Sequence, residues 1–356
     1  MYAGMPLQEG FTEALLSGRE AGGGASGKVV EHLRKFINGA FDHKTTAGAR
    51  YWPELEDIFT CVDLSANTGH NLGPTYRASD LRTARRALIY RIMTMLREQY
   101  LEARARKDKN WGRLTALMHN IDSSRAGFIS TNWDTVVEDL LEETQQVEWF
   151  DYGCDAAKAL LHPSHNEIRV EEAEQRPAPY VIKMHGSVNW LYCENCRHLY
   201  WIPPEYTKKV AGQLLSPEEW QKIDPESAHP RERWSCNCGG SLGTRLATFS
   251  YLKALEFPMF QKSWFSAEKI LRAADNWIFI GYSLPGADFE FKYLLKRVQL
   301  SRRKPPNFAV ISGGPAADRT YDHYQRFFGR QIKRDTNFFG NGLDSATIRQ
   351  IAQLSG

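Results

Sequence analysis

The feature that most restricts this chain is a set of four short apolar runs from residue 128 onward, separated by helical patterns. Phe128-Ile129-Ser130 precedes a helix carrying Val136, Val137, Leu140 and Leu141. Val181-Ile182-Lys183-Met184 is the second run. Trp277-Ile278-Phe279-Ile280 leads into GYSLPGAD and a helix from Phe289 to Val298, and Phe308-Ala309-Val310-Ile311 ends in Ser312-Gly313-Gly314. Runs this short, without polar alternation, predict strands buried on both faces. Alternation with helices makes the fold class α/β, a parallel sheet with helices on both faces. Such sheets bind ligands beyond the carboxyl ends of their strands. The polar residues just after each run are therefore the candidates for chemistry. Ser130, Thr131, Asn132, Trp133 and Asp134 follow the first run, His185, Gly186 and Ser187 the second, and Gly281, Tyr282 and Ser283 the third. Each motif alone is ordinary, and a lone histidine more often packs in a core than acts as a base. Together they place an amide, a carboxylate, an imidazole and a hydroxyl at one sheet edge.

The first half reads as helical. A turn at Met5-Pro6-Leu7 leads to a helix from Phe11 to Leu16, and Val29, Val30, Leu33, Phe36 and Ile37 mark another. Between them AGGGASGK, Ala21 to Lys28, reads as a flexible interhelical loop. It fits P-loop spacing, but Val29 stands where a Mg²⁺-binding Ser or Thr is needed, and it follows a helix rather than a strand. One long helix is predicted from about Ser79 to Met118, with Leu81, Leu88, Ile92, Met95 and Leu96 on one face. Its arginines, Arg82, Arg85, Arg86, Arg91, Arg97, Arg104 and Arg106, read as a solvated face laced with Glu98 and Glu102 rather than a phosphate-contacting groove. Phe327-Phe328-Gly329 and Phe338-Phe339-Gly340 read as core-packing turns that close the sheet.

Composition bounds the function. The 356 residues predict about two domains. With 42% hydrophobic and 24% charged residues the chain is globular over most of its length. A net charge of +3 calls for neither nucleic acid nor an anionic membrane as partner. No apolar run approaches the ~18 residues of a membrane helix. The N-terminus has no basic and apolar leader pattern, so a cytoplasmic protein is expected. Of the six cysteines, four form two tight pairs, Cys193 with Cys196 and Cys236 with Cys238, inside a Pro-, Trp- and charge-rich insert spanning 191–244. In a reducing compartment such pairs read as a closed, structural zinc site rather than disulfides. Four unrelated buried cysteines are the competing reading, and His198 or His229 is a substitute for one ligand.

The residues at the strand ends carry a resemblance to the sirtuin superfamily. Ser130-Thr131-Asn132-Trp133-Asp134 is similar to its TQNxD motif, Met184-His185-Gly186-Ser187 to its HG motif, and Gly281-Tyr282-Ser283-Leu284 to its GxSL loop. The cysteine insert follows the HG motif as the family's zinc ribbon does. The resemblance spans roughly residues 125–315. It implies a Rossmann-like, sirtuin-type fold with a helical insertion at about 29–118. The Rossmann-like NAD-binding domain would be 1–190 with 245–356, and the zinc-ribbon module 191–244. It also implies NAD⁺ as substrate and Zn²⁺ as structural metal. His185 would be the general base on a ribose hydroxyl, Asn132 would orient the ribose or the attacking water, and Asp134 would hold the Asn loop or contact the nicotinamide side. Ser130, Thr131, Gly186, Gly281, Ser283 and Ser312 would contact the cofactor, Ser283 at the adenosine-side ribose.

Two departures sharpen the expectation. The family's first strand and its GAGxS loop have no counterpart here; Met1 to Leu7 resembles only the tail of that loop. A gap flanked by the strands ending at Ser130 and Gly281, with weak binding of NAD⁺ and little or no hydrolase activity in this chain alone, is therefore expected. The Phe-Gly-Glu strand with which deacylases pair an acyl-lysine peptide is replaced by Leu246-Ala247-Thr248-Phe249-Ser250-Tyr251-Leu252-Lys253. Together with the GYSLPxxD form, this resembles bacterial sirtuin-like NAD⁺ hydrolases of defence systems more than deacylases. The readings carried forward are an NAD⁺ glycohydrolase of that kind or a fragment of one, an NAD⁺-dependent protein deacylase, and a non-catalytic module that keeps the fold as a scaffold. A homo-oligomer or a regulatory partner protein is the further partner the resemblance implies.

Overall fold

The short apolar runs become strands whose pairing is parallel, as their pattern predicts. The computed structural model describes residues 10–16, 25–42, 52–106, 109–161, 167–171, 178–226, 233–244, 246–248 and 257–355. Five helices come first: α1 (Phe11–Leu16), α2 (Ala25–Ala40), α3 (Leu55–Thr68), α4 (Ala78–Arg106) and α5 (Lys109–His119). They are followed by β1 (Phe128–Ser130), α6 (Val136–Gln145), β2 (Ala156–Leu161), β3 (Ile168–Val170) and β4 (Val181–Lys183). Next come β5 (Trp190–Cys193), β6 (Leu199–Trp201), α7 (Thr207–Gly212), α8 (Pro217–Ile223) and β7 (Leu242–Gly243). The chain ends with α9 (Pro258–Ala273), β8 (Asn276–Ile280), α10 (Phe289–Ser301), β9 (Asn307–Ile311), α11 (Ala317–Phe328), β10 (Phe338–Phe339) and α12 (Ser345–Ser355).

Among the described residues three sheets result. β1 pairs with β4 in parallel, Phe128 opposite Val181 and Ser130 opposite Lys183. β8 pairs in parallel with β9 along its full length, and β9 with β10. The third sheet is mixed, in the order β3-β2-β6-β5-β7. It joins the strands of the cysteine insert to β2 and β3, which precede it in the chain. One apolar core binds the first two sheets together: Ile182 and Met184 pack with Leu271, Trp277, Leu294, Leu295, Val298, Phe308 and Phe328. Among the described residues no strand pairs with the second edge of β1 or of β8. The segment Met1–Leu7, on which the expectation of an absent first strand rests, lies outside the described residues.

The helical half differs from its sequence reading in three ways. The long helix is two helices, α4 and α5. The AGGGASGK stretch is not a loop throughout, because Ala25 to Lys28 already form the first turn of α2; its earlier residues lie outside the described set. The arginines of α4 are only in part a solvated face: Arg82, Arg86 and Arg106 are exposed, Arg106 pairs with Glu102 at 3.2 Å and Arg91 with Glu98 at 3.6 Å, but others reach neighbouring elements. Arg85 pairs with Asp63, Arg86 with Glu219 at 2.8 Å, and Arg97 donates to the carbonyl of Pro204. Arg91 is buried and donates to the carbonyl of Leu15 at 3.0 Å. These bonds fasten α4 to α1, α3 and the insert. The apolar face of α4 joins Leu33, Ile37, Ile58 and Phe59 to Leu191, Ile202 and Trp220 in one core. The insert itself contains two helices; α8 starts with Pro217 at its first turn and a reciprocal capping box between Ser216 and Glu219. Gly329 closes α11 with a φ of +66°, and Phe338-Phe339 is a strand at the sheet edge rather than a turn. Among the described residues no helix is long and apolar enough to cross a membrane.

Candidate active site

The loop after β1 is held from three directions. Met184 N–H donates to the carbonyl of Ser130 at 3.0 Å, which brings the ends of β1 and β4 together. The carbonyl of Trp133 accepts from Val188 N–H at 2.9 Å and from the Ser187 hydroxyl at 3.4 Å. The Trp133 indole donates to the carbonyl of Ala247 at 3.1 Å. Within the loop, Asn132 N–H donates to Ser130 Oγ at 3.2 Å, and the Asp134 carboxylate accepts from Val136 N–H at 3.1 Å and so opens α6. Trp133 is the buried anchor, and Asn132 on its flank is exposed. The loop is thus fixed through its backbone and its tryptophan, which leaves the Asn132 amide directed by neither packing nor a helix.

His185 sits one residue beyond the run that forms β4 and is 6% exposed. Its Nδ1 donates to the carbonyl of Thr131 at 2.9 Å. A carbonyl only accepts, so this bond puts the proton of the neutral ring on Nδ1 and leaves Nε2 as the basic atom. The carbonyl of His185 accepts from Ala247 N–H at 3.0 Å. Ala247 therefore clasps both the histidine and, through Trp133, the loop after β1. Gly186, next in line, has a φ of +84°, a conformation that disfavours any side chain.

The ends of β8 and β9 form the other flank. Gly281 has a φ of +67° and donates its N–H to the carbonyl of Ile311 at 3.0 Å. Ser312 N–H donates to Phe339 and its carbonyl accepts from Gly342 N–H at 2.9 Å. Ser283 is exposed, and its carbonyl accepts from His323 Nδ1 at 3.0 Å. The two flanks meet at one point. His185 Nε2 lies 3.9 Å from Oδ1 of Asp288, a carboxylate only 8% exposed. Tyr282 donates its hydroxyl to the other oxygen, Oδ2, at 3.3 Å. Burial, and the charge of Asp288 beside it, push the Tyr282 phenol far above its ordinary range, so it stays a donor.

Behind the loop lies a buried polar network. Lys183, the one charged residue in an apolar strand, is fully buried and donates to the carbonyl of Asp134. Its ammonium lies 3.3 Å from Glu138 Oε1, also buried, which accepts the Tyr152 hydroxyl at 3.3 Å. Burial pushes the Glu138 carboxyl up, and Lys183 opposes that shift. Beside it Asp139 is pushed up to about 7 by burial and by the charge of Glu138, while Arg104 at 3.8 Å pulls the other way.

The four paired cysteines converge. Their Sγ atoms all lie within 4.8 Å of one another, with Cys193 and Cys196 each 3.5 Å from Cys238 and Cys236 respectively. These separations exceed the ~2.05 Å of a disulfide. They match the ~3.8 Å edge of a thiolate tetrahedron at the usual Zn–S distance of ~2.3 Å. Gly240 leaves the necessary room: a Cβ there would stand 2.8 Å from Cys193 Sγ and 3.3 Å from Cys238 Sγ. His198 Nδ1 lies 3.2 Å from Cys196 Sγ, and the Tyr200 hydroxyl 3.2 Å from Cys236 Sγ, so both stand against sulfur rather than in its place. His229 lies outside the described residues.

Sequence reading names the strand-end residues but passes over Lys183, Glu138 and Asp288. A lysine inside an otherwise apolar run, an acid on the inner stripe of a helix, and an acid closing a strand-end loop were the available signals. Residues 126–328 match the family model of the SIR2-like domain. No curated protein matches the chain. A solved chain described as "Structural Basis for the Mechanism and Regulation of Sir2 Enzymes" is similar at 15% identity and a TM-score of 0.36, over 91% of this chain and 97% of that one.

Proposed function

The chain belongs to the family of SIR2-like domains, and from that premise we propose that it is an NAD⁺ glycohydrolase. Its reaction would break the bond between nicotinamide and ribose. Water supplies hydroxide to the ribose carbon, nicotinamide leaves with the bonding pair, and ADP-ribose and a proton complete the balance. The transition state is oxocarbenium-like. The observation that carries this reading is the bond from His185 Nδ1 to Thr131, which makes Nε2 the basic atom beside the Asn132 loop. His185 takes a proton from a ribose hydroxyl at Nε2. Asn132 orients the ribose or the water, and Asp134 fixes the loop by starting α6. Ser130, Thr131, Gly186, Gly281, Ser283 and Ser312 line the cofactor's path along the two flanks. Zn²⁺ would be held by Cys193, Cys196, Cys236 and Cys238 and would supply folding rather than chemistry, since four protein ligands close its sphere. The division into 1–190 with 245–356 and a ribbon at 191–244 belongs to the same proposal.

Hydrolysis is favoured over deacylation at one residue. A deacylase offers the backbone after its ribbon to an acyl-lysine peptide. Here the N–H and the carbonyl of Ala247 are already bonded to His185 and Trp133. The bacterial defence setting belongs to the same proposal and rests on the resemblance of the GYSLPxxD form at Gly281–Asp288. The test is incubation of the protein with NAD⁺ alone, reading nicotinamide. In whatever form of the protein cleaves NAD⁺, release without any peptide is expected, and His185→Ala or Asn132→Ala should lower it by ~10²–10⁴ with the fold intact. A strict requirement for acyl-lysine peptide overturns the hydrolase, and activity within a few-fold of the parent in both variants removes these residues from the mechanism.

A further inference from the structure

We propose that Asp288 is a positioning residue that stabilises His185 in its proton-bearing form, so that the base of the β1–β4 flank is completed by an acid from the β8–α10 flank. The inference rests on the assignment of His185 as the general base. Four observations carry it. The ring is oriented by its Nδ1 bond to Thr131 at 2.9 Å, so the other nitrogen is directed. That nitrogen faces Asp288 Oδ1 at 3.9 Å. Both side chains are about nine-tenths buried, where a charge pair is screened little by water. The carboxylate is itself held in place, because Tyr282 donates to its second oxygen and Tyr324 donates to the Tyr282 carbonyl at 2.9 Å.

The chemistry follows from these positions. A neutral imidazole presents a lone pair at Nε2, and a carboxylate opposite it makes no bond. When Nε2 takes a proton from a substrate hydroxyl, the ring becomes a cation and the same carboxylate becomes its counter-charge. An opposite charge within ~4–6 Å favours the charged form. Asp288 thus strengthens the base without touching the reacting atoms. The other titratable groups on the surrounding elements are engaged elsewhere. Asp134 caps α6, Lys183 and Glu138 pair with each other behind the loop, Tyr282 donates to Asp288 itself, and His323 donates to Ser283. Among the described residues Asp288 is the carboxylate within 4 Å of the ring, at 3.9 Å from Nε2.

The experiment follows the His185 imidazole by NMR across pH in the protein without NAD⁺, its resonance identified by its loss in His185→Gln. In Asp288→Asn, His185 should titrate about one pH unit lower than in the parent. Asp288→Glu should restore part of the difference. Tyr282→Phe, which keeps the carboxylate but frees it, should give a smaller change in the same direction and serves where Asp288→Asn does not fold. The acid limb of kcat/KM for nicotinamide release should move with the NMR titration. Identical titration of His185 in parent and Asp288→Asn overturns the proposal, whether or not NAD⁺ is cleaved. A titration that shifts in a protein that leaves NAD⁺ intact keeps the pair and removes the hydrolase instead.

Discussion

Lys183 shows how a single residue can set the geometry of a site without taking part in it. Its ammonium is buried at the end of β4, one strand residue before Met184 and His185, and reaches across to the Asp134 carbonyl and Glu138. Taking two charges out of water is costly, so such a pair adds little net stability, but removing one partner strands the other. Lys183→Met should therefore destabilise the fold by ~3–5 kcal/mol. Lys183→Met with Glu138→Leu should recover most of that loss, and denaturant unfolding of the three proteins measures both. A double variant as unstable as the single would show that Lys183 acts by filling space. Asp139 gives a pH-dependent counterpart. Its folded value near 7 lies above the ordinary carboxylate value, so the folded state holds its proton longer than the unfolded chain. Stability from this group is full below about pH 4 and is lost as pH rises towards 7. Asp139→Asn should match the parent at pH 4 and exceed it by ~1–3 kcal/mol at pH 8, read from urea midpoints. An unchanged difference across that range would locate the carboxylate in water.

At the scale of elements, the insert combines its share of the apolar core with a cluster of four cysteines. β5 and β7 are short, and β7 has two residues. Strands of that length need an added constraint, and a metal bound by the four thiolates would provide one by coupling binding to folding. Metal analysis should find about one Zn²⁺ per chain. Cys193→Ser or Cys236→Ser should lose it and lower the melting temperature. Gly240→Ala, which touches no ligand bond, should weaken metal retention because its Cβ would crowd two sulfurs. Full zinc and parent stability in both serine variants would reject the site. The insert is also not isolated. α8 and the turn at Pro204 are tied to α4 by Arg86 and Arg97, so loss of the metal should be felt in the helical half, visible as reduced amide protection along α4.

For the whole molecule, what was legible in the sequence is what local pattern determines. The runs at 128–130, 181–184, 277–280 and 308–311 predict their strands because a strand buried on both faces must be apolar throughout. Their ends give the candidate site, because parallel sheets of this kind bind ligands beyond the carboxyl ends of their strands. The four cysteines are legible because thiolate pairs have few other uses. The rest depends on partners far along the chain. Nothing local says that Arg85 meets Asp63, that β2 and β3 extend the sheet of the cysteine insert, or that Asp288 faces His185. A run such as Phe338-Phe339 reads as a turn until β9 stands beside it.

That distance along the chain has a consequence during synthesis. Asn132 and His185 are made early, but the clasp at Ala247 and the carboxylate at Asp288 come long after them. A growing chain that has left the ribosome only as far as Cys196 carries the residues of the site without the site. Most of the pairings that build it are non-local, and such contacts form slowly. Whatever the finished protein does to its ligand, the nascent one is spared from doing while it is still being made.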